Sequence, residues 1–316
     1  MSVAPAVTVL MAVHNGERHL RESIESVFAQ TFADFELLVV DDGSTDATPE
    51  ILSRYADPRL RVVRNELNLG LTRSLNRGLA ESRGRYVARQ DADDVSAPER
   101  LARQAAFLDA NLDVSLLASS HVRIREDGSV IAVRSVPTDP TGIRWRLLFL
   151  NAFAHSSVML QRADVQALGG FSEQFAFAQD YDLWSRFAFT GAVAVLPDPL
   201  VRYREAKGSM TATIAPNLDD VDRISRANMR RLGPAGARIA DRIDREAAWR
   251  LLFAGTRGLT LPRAAAAARD IVALEQAFSR YEGLPAWIRL RRRAALLLHL
   301  TRALARVGAR AARIGG

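Results

Sequence analysis

Residues 87–94 read VARQDADD, an apolar segment running into three carboxylates, Asp91, Asp93 and Asp94, within four positions. Like charges this close repel, so the crowding adds nothing to stability by itself. An Asp-x-Asp pair at a strand end offers oxygen ligands to a hard divalent cation, Mg²⁺ or Mn²⁺, which keeps positions open for water and phosphate. The same residues also make a polar turn ahead of Pro98. A second stretch, VVDDGSTD, ends in Asp41 and Asp42. Successive strand side chains point opposite ways, so one of the two faces a cleft, where it can accept a hydrogen bond from a ribose hydroxyl or a base N–H. A helix-capping turn is the competing reading. A third, FAQDYDLW, places Asp180 and Trp184 at i and i+4 on one helix face. A carboxylate beside aromatics suits a general base, although acidic residues also favour helix starts for their own sake.

Other chemistries are disfavoured. There is no HExxH or HxH and no cysteine, so zinc sites and disulfides are not expected. Neither GxxxxGK[ST] nor a GxGxxG after the first strand is present, which weakens phosphate-loop and dinucleotide readings. What remains is a phosphate partner held through a metal rather than through a glycine loop.

The elements that must position these residues are legible as alternating buried strands and helices. AVTVLMAV (6–13) and FELLVV are continuous apolar runs, as expected of strands buried on both faces. LRVVRN (60–65) and RYVARQ complete four strands, with helices expected at RESIESVFAQ, roughly 47–55, NLGLTRSLNRGLAESRG and, opened by Pro98, PERLARQAAFLDAN. Ser44 or Asp46 is the expected cap of the second helix. Such alternation implies a parallel sheet with helices on both faces and ligands at the carboxyl strand ends, where the polar residues fall. Further on, SLLASSHVRIREDGSVIAVRSVP reads as two strands joined by EDGS, and SSVMLQRADVQALGGF as a strand, a helix and a Gly-Gly stop. QDYDLWSRFAFTG reads as a helix and AVAVLPDPLVRYR as a last strand. From about residue 217 the pattern is helical, interrupted at Pro262 and Pro285.

In this order the stretches VTVLMAVHNGERHLRESIESVFAQTFADFELLVVDDGSTD, NLGLTRSLNRGLAESRGRYVARQDADDVSAPERL, AHSSVMLQR, GGFSEQFAFAQDYDLWSRFAFTG and LVRYR resemble the family 2 glycosyltransferases, over about residues 5–210. The resemblance implies the α/β fold known as GT-A, a Rossmann-like mixed sheet flanked by helices, over residues 1–215. A helical, Arg-rich region covers 216–316. It implies that Ala12, His14 and Glu17 line the base and ribose, that Asp42 contacts the base, and that Arg73 helps hold the nucleotide. Asp91 would face the ribose or the metal's waters and Asp93 the Mn²⁺ or Mg²⁺ bridging the diphosphate. Asp180 would be the base of an inverting transfer from a nucleotide-diphospho-sugar, a UDP-sugar in the first instance, to a saccharide or lipid-linked hydroxyl. His155, Gln179 and Trp184 fall on the acceptor side. Asp94 is read as a turn residue.

Three departures stand out. Gln179 occupies a position where relatives commonly carry Glu, and His14 one that is often Tyr. Glu205-Ala206-Lys207 stands where a His often follows, leaving Lys207 or Arg204 as the expected diphosphate contacts. A non-catalytic scaffold and a sugar-nucleotide nucleotidyltransferase are the rival readings. The first draws on the departures. The second lacks the glycine- and lysine-bearing signature usual after the first strand.

Charge is unevenly spread over the 316 residues. Residues 217–316 hold 20 Arg against 9 acidic residues (+11), while 1–216 hold 23 basic and 27 acidic (−4). The segment 285–316, with Trp287 among arginines, has the amphipathic pattern of a helix on an anionic membrane surface or against a neighbouring helix. No nucleic-acid signature accompanies it. The opening residues lack a basic n-region and long apolar core, and no apolar window is long enough to span a bilayer. A cytoplasmic setting, including the inner membrane face, is therefore expected.

Overall fold

The computed structural model describes residues 4–175, 177–205 and 218–314; Lys207 lies outside them. The chain divides into two compact units, Met1–Arg144 with Asn151–Asp220, and Trp145–Leu150 with Val221–Gly316.

The first unit is built on a mixed sheet. Strands β1 (Val7–Val13), β2 (Phe35–Asp41), β3 (Leu60–Arg64) and β4 (Tyr86–Asp91) are mutually parallel in the order β3-β2-β1-β4. The odd residues of β1 pack into a core with Leu20, Ile24 and Val27 of α1 (Leu20–Phe28), Ile51 and Leu52 of α2 (Thr48–Ser53), and Leu101, Ala105 and Leu108 of α4 (Arg100–Ala110). On the other face Leu10 and Val40 meet Gly78 of α3 (Leu71–Glu81), where a Cβ would lie 2.2 Å from Leu10 Cδ1. Both faces are therefore covered, which is why these strands are apolar throughout rather than alternating.

Beyond β4 the sheet becomes mixed. β8 (Met159–Gln161) runs antiparallel between β4 and β6 (Val114–Arg125), and β9 (Ala192–Glu205) pairs parallel with β6. β7 (Val130–Arg134) returns along β6, and the two-residue β5 (Val95–Ser96) pairs with Val201 and Arg202 of β9. Helices α6 (Arg162–Ala167) and α7 (Gln179–Thr190) follow β8, with Gly169 and Gly170 at positive φ forming the break between them.

Some expectations are corrected. α4 begins at Arg100 rather than at Pro98, whose carbonyl instead accepts the Thr31 N–H at 2.9 Å. Ser44 turns back to the backbone N–H of Asn15, leaving Asp46 to receive the Thr48 N–H at 2.9 Å. β5 and the 3₁₀ turn His155–Ser157 are too short to carry a periodic signal.

The second unit is helical. α5 (Pro140–Leu147) ends in it, followed by α8 (Leu218–Arg230), α9 (Pro234–Arg242), α10 (Arg245–Trp249), a π-helical turn Arg250–Ala254, α11 (Leu261–Tyr281) and α12 (Ala286–Ile314). Asp244 caps α10 by accepting the Ala247 N–H at 3.0 Å. The Trp145 ring meets Phe149 and Phe278 edge-on at 5.3 Å each. Among the described residues no helix is long and apolar enough to cross a membrane.

Candidate active site

Parallel pairing sets the rim. The register aligns Ala12 with Asp91 and Val13 with Asp41, so the carboxyl ends of β1, β2 and β4 come level. The loops leaving β1 and β2 brace one another. Asn15, the one described non-glycine residue at positive φ (52°), receives the Thr45 N–H at 2.8 Å on Oδ1 and gives its own N–H to Ser44 Oγ at 3.0 Å. Glu17 accepts from Ala47 N–H and donates its backbone N–H to Asp46, both at 3.0 Å. His14 Nδ1 donates to the Asp42 carbonyl at 2.8 Å, which assigns that tautomer and leaves an exposed ring at the mouth. Ala12 is buried beneath it.

Asp42 is committed inward. Its carboxylate accepts from Asn65 Nδ2 (2.7 Å) and from the N–H groups of Leu69 (2.8 Å) and Gly70 (2.9 Å). Burial pushes its pKa up, but these donors outweigh it and the group sits below the ordinary range. With three of about four lone-pair sites used, Asp42 clamps the loop before α3 and keeps about one site, on Oδ2, for a further donor. Arg73, on the first turn of α3, pairs at 3.1 Å with Glu173 and so ties α3 to the loop preceding α7.

The carboxylate cluster rests on buried arginine. Asp91 receives Arg89 Nη2 at 2.5 Å and Ser156 Oγ at 3.2 Å. Burial raises its pKa, yet the Arg89 charge prevails and holds it below normal. Arg89 also binds the Leu10 carbonyl, and its Nε donates to His155 Nε2 at 3.1 Å. That bond makes His155 Nε2 an acceptor and turns Nδ1–H toward Asp91, 3.8 Å away. Burial, then Arg89, drive the His155 pKa down to about 3, so it is neutral. Arg100, wholly buried behind, donates to Gln90, Ser96 and the Arg89 carbonyl. Burial lowers its pKa to about 9, which leaves it cationic at neutral pH.

Asp93 stands nearer the opening. Burial and the Asp91 charge raise its pKa to about 6. Asp94 closes the turn as expected, its N–H donating to the Asp91 carbonyl at 3.3 Å, but its side chain is fully buried and one oxygen accepts the backbone N–H of Arg204 at 2.8 Å. Arg204 is not a free phosphate contact. Its guanidinium is buried against the Asp93 and Glu126 carbonyls and Glu22, pinning the cluster to β9.

Asp180 opens α7. It accepts from Asn151 Nδ2 and from the Tyr181 N–H, both at 2.7 Å. Burial nonetheless raises its pKa to about 6, with the Asp91 charge adding to the rise. The His155 ring lies edge-on to Trp184 of α7 at 5.9 Å and to Phe171 at 5.7 Å, linking the helix of Asp180 to the strand of Asp91. Trp184 and Gln179 are enclosed, so neither offers a surface to an acceptor; both support the rim from behind. Among the described residues neither Gln179 Oε1 nor Trp184 Nε1 has a partner.

The arrangement unites Asp91, Asp93 and Asp180 in one electrostatic neighbourhood, beside a mouth marked by His14. Among the described residues no three His, Cys, Asp or Glu side chains form a closed metal cage. Two carboxylates, one with its pKa raised by the other, fit a cation that takes its remaining ligands from water and phosphate. Residues that sequence patterns did not single out, Arg89, Arg100, Ser156 and Asn151, position this set. Each reads in sequence as an ordinary strand, helix or loop residue.

Comparison with known proteins places the chain in a family. A relative described as "Putative glycosyltransferase EpsE" of Bacillus subtilis is 36% identical over 193 residues, 59% of this chain and 68% of its own. The "Succinoglycan biosynthesis protein ExoO" of Rhizobium meliloti is 32% identical over 231 residues, 69% of this chain and 65% of its own. Among solved structures, S. aureus TarS 1-349 in complex with UDP-GlcNAc aligns with a TM-score of 0.63 at 20% identity, covering 95% of this chain and 89% of that one. The mannosyltransferase PcManGT of Pyrobaculum calidifontis, in complex with GDP-Man and Mn²⁺, aligns with a TM-score of 0.57 at 22% identity, covering 97% and 88%. The sequence pattern of the family described as "Glycosyl transferase family 2" matches residues 8–166. The chain belongs to that family and is a glycosyltransferase.

Proposed function

We propose that this glycosyltransferase moves a sugar from a nucleotide-diphospho-sugar to a hydroxyl acceptor with inversion at the anomeric carbon, in the assembly of a surface polysaccharide or glycolipid. The observation that carries the reading is Asp180: a carboxylate with its pKa raised to about 6, on the same rim as Asp91 and Asp93. A base titrating near neutral pH takes a hydroxyl proton efficiently. The acceptor oxygen attacks the anomeric carbon, the bond to the diphosphate oxygen on the opposite face breaks, and the acceptor proton passes to Asp180. A single transfer of this kind inverts the centre. Asn151 holds Asp180 Oδ2, and the Tyr181 N–H holds Oδ1, in place through this step.

Asp93 and Asp91 are the residues to hold Mn²⁺ or Mg²⁺, which when bound would offset charge on the departing diphosphate. His14 supplies the exposed ring against the base, and Arg73, on the first turn of α3, helps hold the nucleotide. The proposed catalytic domain is residues 1–215. The nucleotide-sugar complexes of the TarS and PcManGT structures support the donor class. The description of the relative ExoO as a succinoglycan biosynthesis protein supports the polysaccharide setting.

Calorimetry with UDP and GDP, with and without Mn²⁺, tests the reading. Metal-dependent binding of one nucleotide, lost in Asp93→Ala, is expected. Binding unchanged by chelator removes the metal role. Asp180→Asn is expected to bind the nucleotide normally and to transfer sugar from the matching donor roughly a thousandfold more slowly.

A further inference from the structure

Helix α12 carries two apolar stripes on opposite sides. The inner one is settled by its contacts: Leu300, Ala303 and Val307 are buried, His299 binds the Leu251 carbonyl at 2.8 Å, and Arg292 lies over the Phe278 ring at 5.4 Å. The outer one consists of Trp287, Leu290, Leu297 and Leu298, which are 66%, 71%, 44% and 54% exposed. Their offsets of 3, 10 and 11 residues from Trp287 keep them on one side of a helix that turns about 100° per residue. At the same pitch Arg291, Arg302 and Arg306, all exposed, run along one border of that stripe, and exposed Arg293 along the other. Across residues 286–314 there are eight Arg and no acidic residue. Large apolar side chains clustered in water mark a surface that meets something.

We propose that the outer face of α12 binds the interface of a bilayer containing anionic lipid, with Trp287, Leu290, Leu297 and Leu298 inserted at the headgroup boundary and the bordering arginines on lipid phosphates. An apolar stripe between rows of cations is the chemistry of a helix lying in that interface. Charge argues against the other occupant. A symmetric contact with a second copy presents the same patch twice, setting arginine rows against arginine rows with no carboxylate on the helix to answer them. The inner stripe is already filled, so the outer one is not the packing face of its own unit. The inference rests on α12 alone and stands apart from the sugar-transfer reading.

The test is sedimentation of the full chain with vesicles of phosphatidylcholine alone and of phosphatidylcholine mixed with phosphatidylglycerol. Binding to the mixed vesicles only is expected, weakening as salt is raised. Arg291→Gln and Arg302→Gln are each expected to lower the partition coefficient about fivefold. The pair Leu290→Asp with Leu298→Asp is expected to abolish binding while leaving the melting temperature unchanged, since both positions are exposed. Tryptophan emission should shift to the blue on binding in the parent chain and not in Trp287→Phe. Equal partition onto both vesicle types, or onto neither, overturns the proposal. So does a concentration-dependent dimer that the Leu290→Asp, Leu298→Asp pair disperses in the absence of vesicle binding, which assigns the face to a second copy.

Discussion

Asn151 Nδ2 donates to Asp180 Oδ2 at 2.7 Å, so the carboxylate at the head of α7 is oriented by a side chain 29 residues earlier. The bond favours the ionised form, while burial opposes it and prevails, leaving the group at about 6. Removing the donor therefore moves the balance one way. Asn151→Ala is expected to shift the acid limb of the kcat/KM profile for sugar transfer up from about 6 by about one pH unit, the scale of one charged hydrogen bond. An unmoved limb would separate Asn151 from the base.

Asp180 also sets a trade between activity and stability. Its folded pKa, about 6, lies above the ordinary 3.8, so the fold holds this proton more tightly than the unfolded chain. The contribution to stability is complete below about pH 4 and is lost as pH climbs through 6. Asp180→Asn removes that loss. The variant should melt higher than the parent at pH 8, match it near pH 4, and lose roughly a thousandfold in transfer rate. Calorimetric melting at the two pH values, beside a transfer assay, checks both halves.

Arg89 is expected to matter through Asp91. Arg89→Met leaves Asp91, His155 and the Leu10 carbonyl without their shared donor, and the expected cost is about 3 kcal/mol, the low end for breaking a buried pair because Asp91 is partly exposed. In an Asp91→Asn background the same change should cost less. Urea unfolding of the two single variants and the double variant reads the difference, and additive losses would show that the two residues do not act together.

Gly84 tests the close approach of chain segments at the start of β4. A Cβ there would lie 2.3 Å from the Thr8 nitrogen and 2.7 Å from the Val7 carbonyl carbon, both backbone atoms that cannot rotate away. Gly84→Ala is expected to destabilise by about 1–3 kcal/mol, read as a lower urea midpoint with nucleotide affinity kept in the surviving folded fraction.

Much of this molecule is local information. The apolar runs of β1, β2 and β4 announce strands buried on both faces, and the carboxylates at their ends announce a polar rim. Short elements were not legible: β5 and the turn at His155–Ser157 have two and three residues, below any period. The burial of Asp94 and Arg204 was not legible for a related reason. Each looks solvated beside its sequence neighbours, and each is buried because β9 returns to β5 from more than a hundred positions away.

By itself the sequence determined the alternation that builds the parallel half of the sheet, the family, and the identities of the rim carboxylates, because periodicity and residue type are properties of adjacent positions. Tertiary structure alone decided which carboxylates are ionised and what holds them. Arg89, Arg100 and Arg204 gather beneath Asp91, Asp93 and Asp94 only once β4, α4 and β9 have packed. Asp180 acquires its raised pKa only when α7 is set against the strand of Asp91 through His155 and Trp184. Desolvation and charge pairing depend on distance through space, and no sequence spacing states that distance.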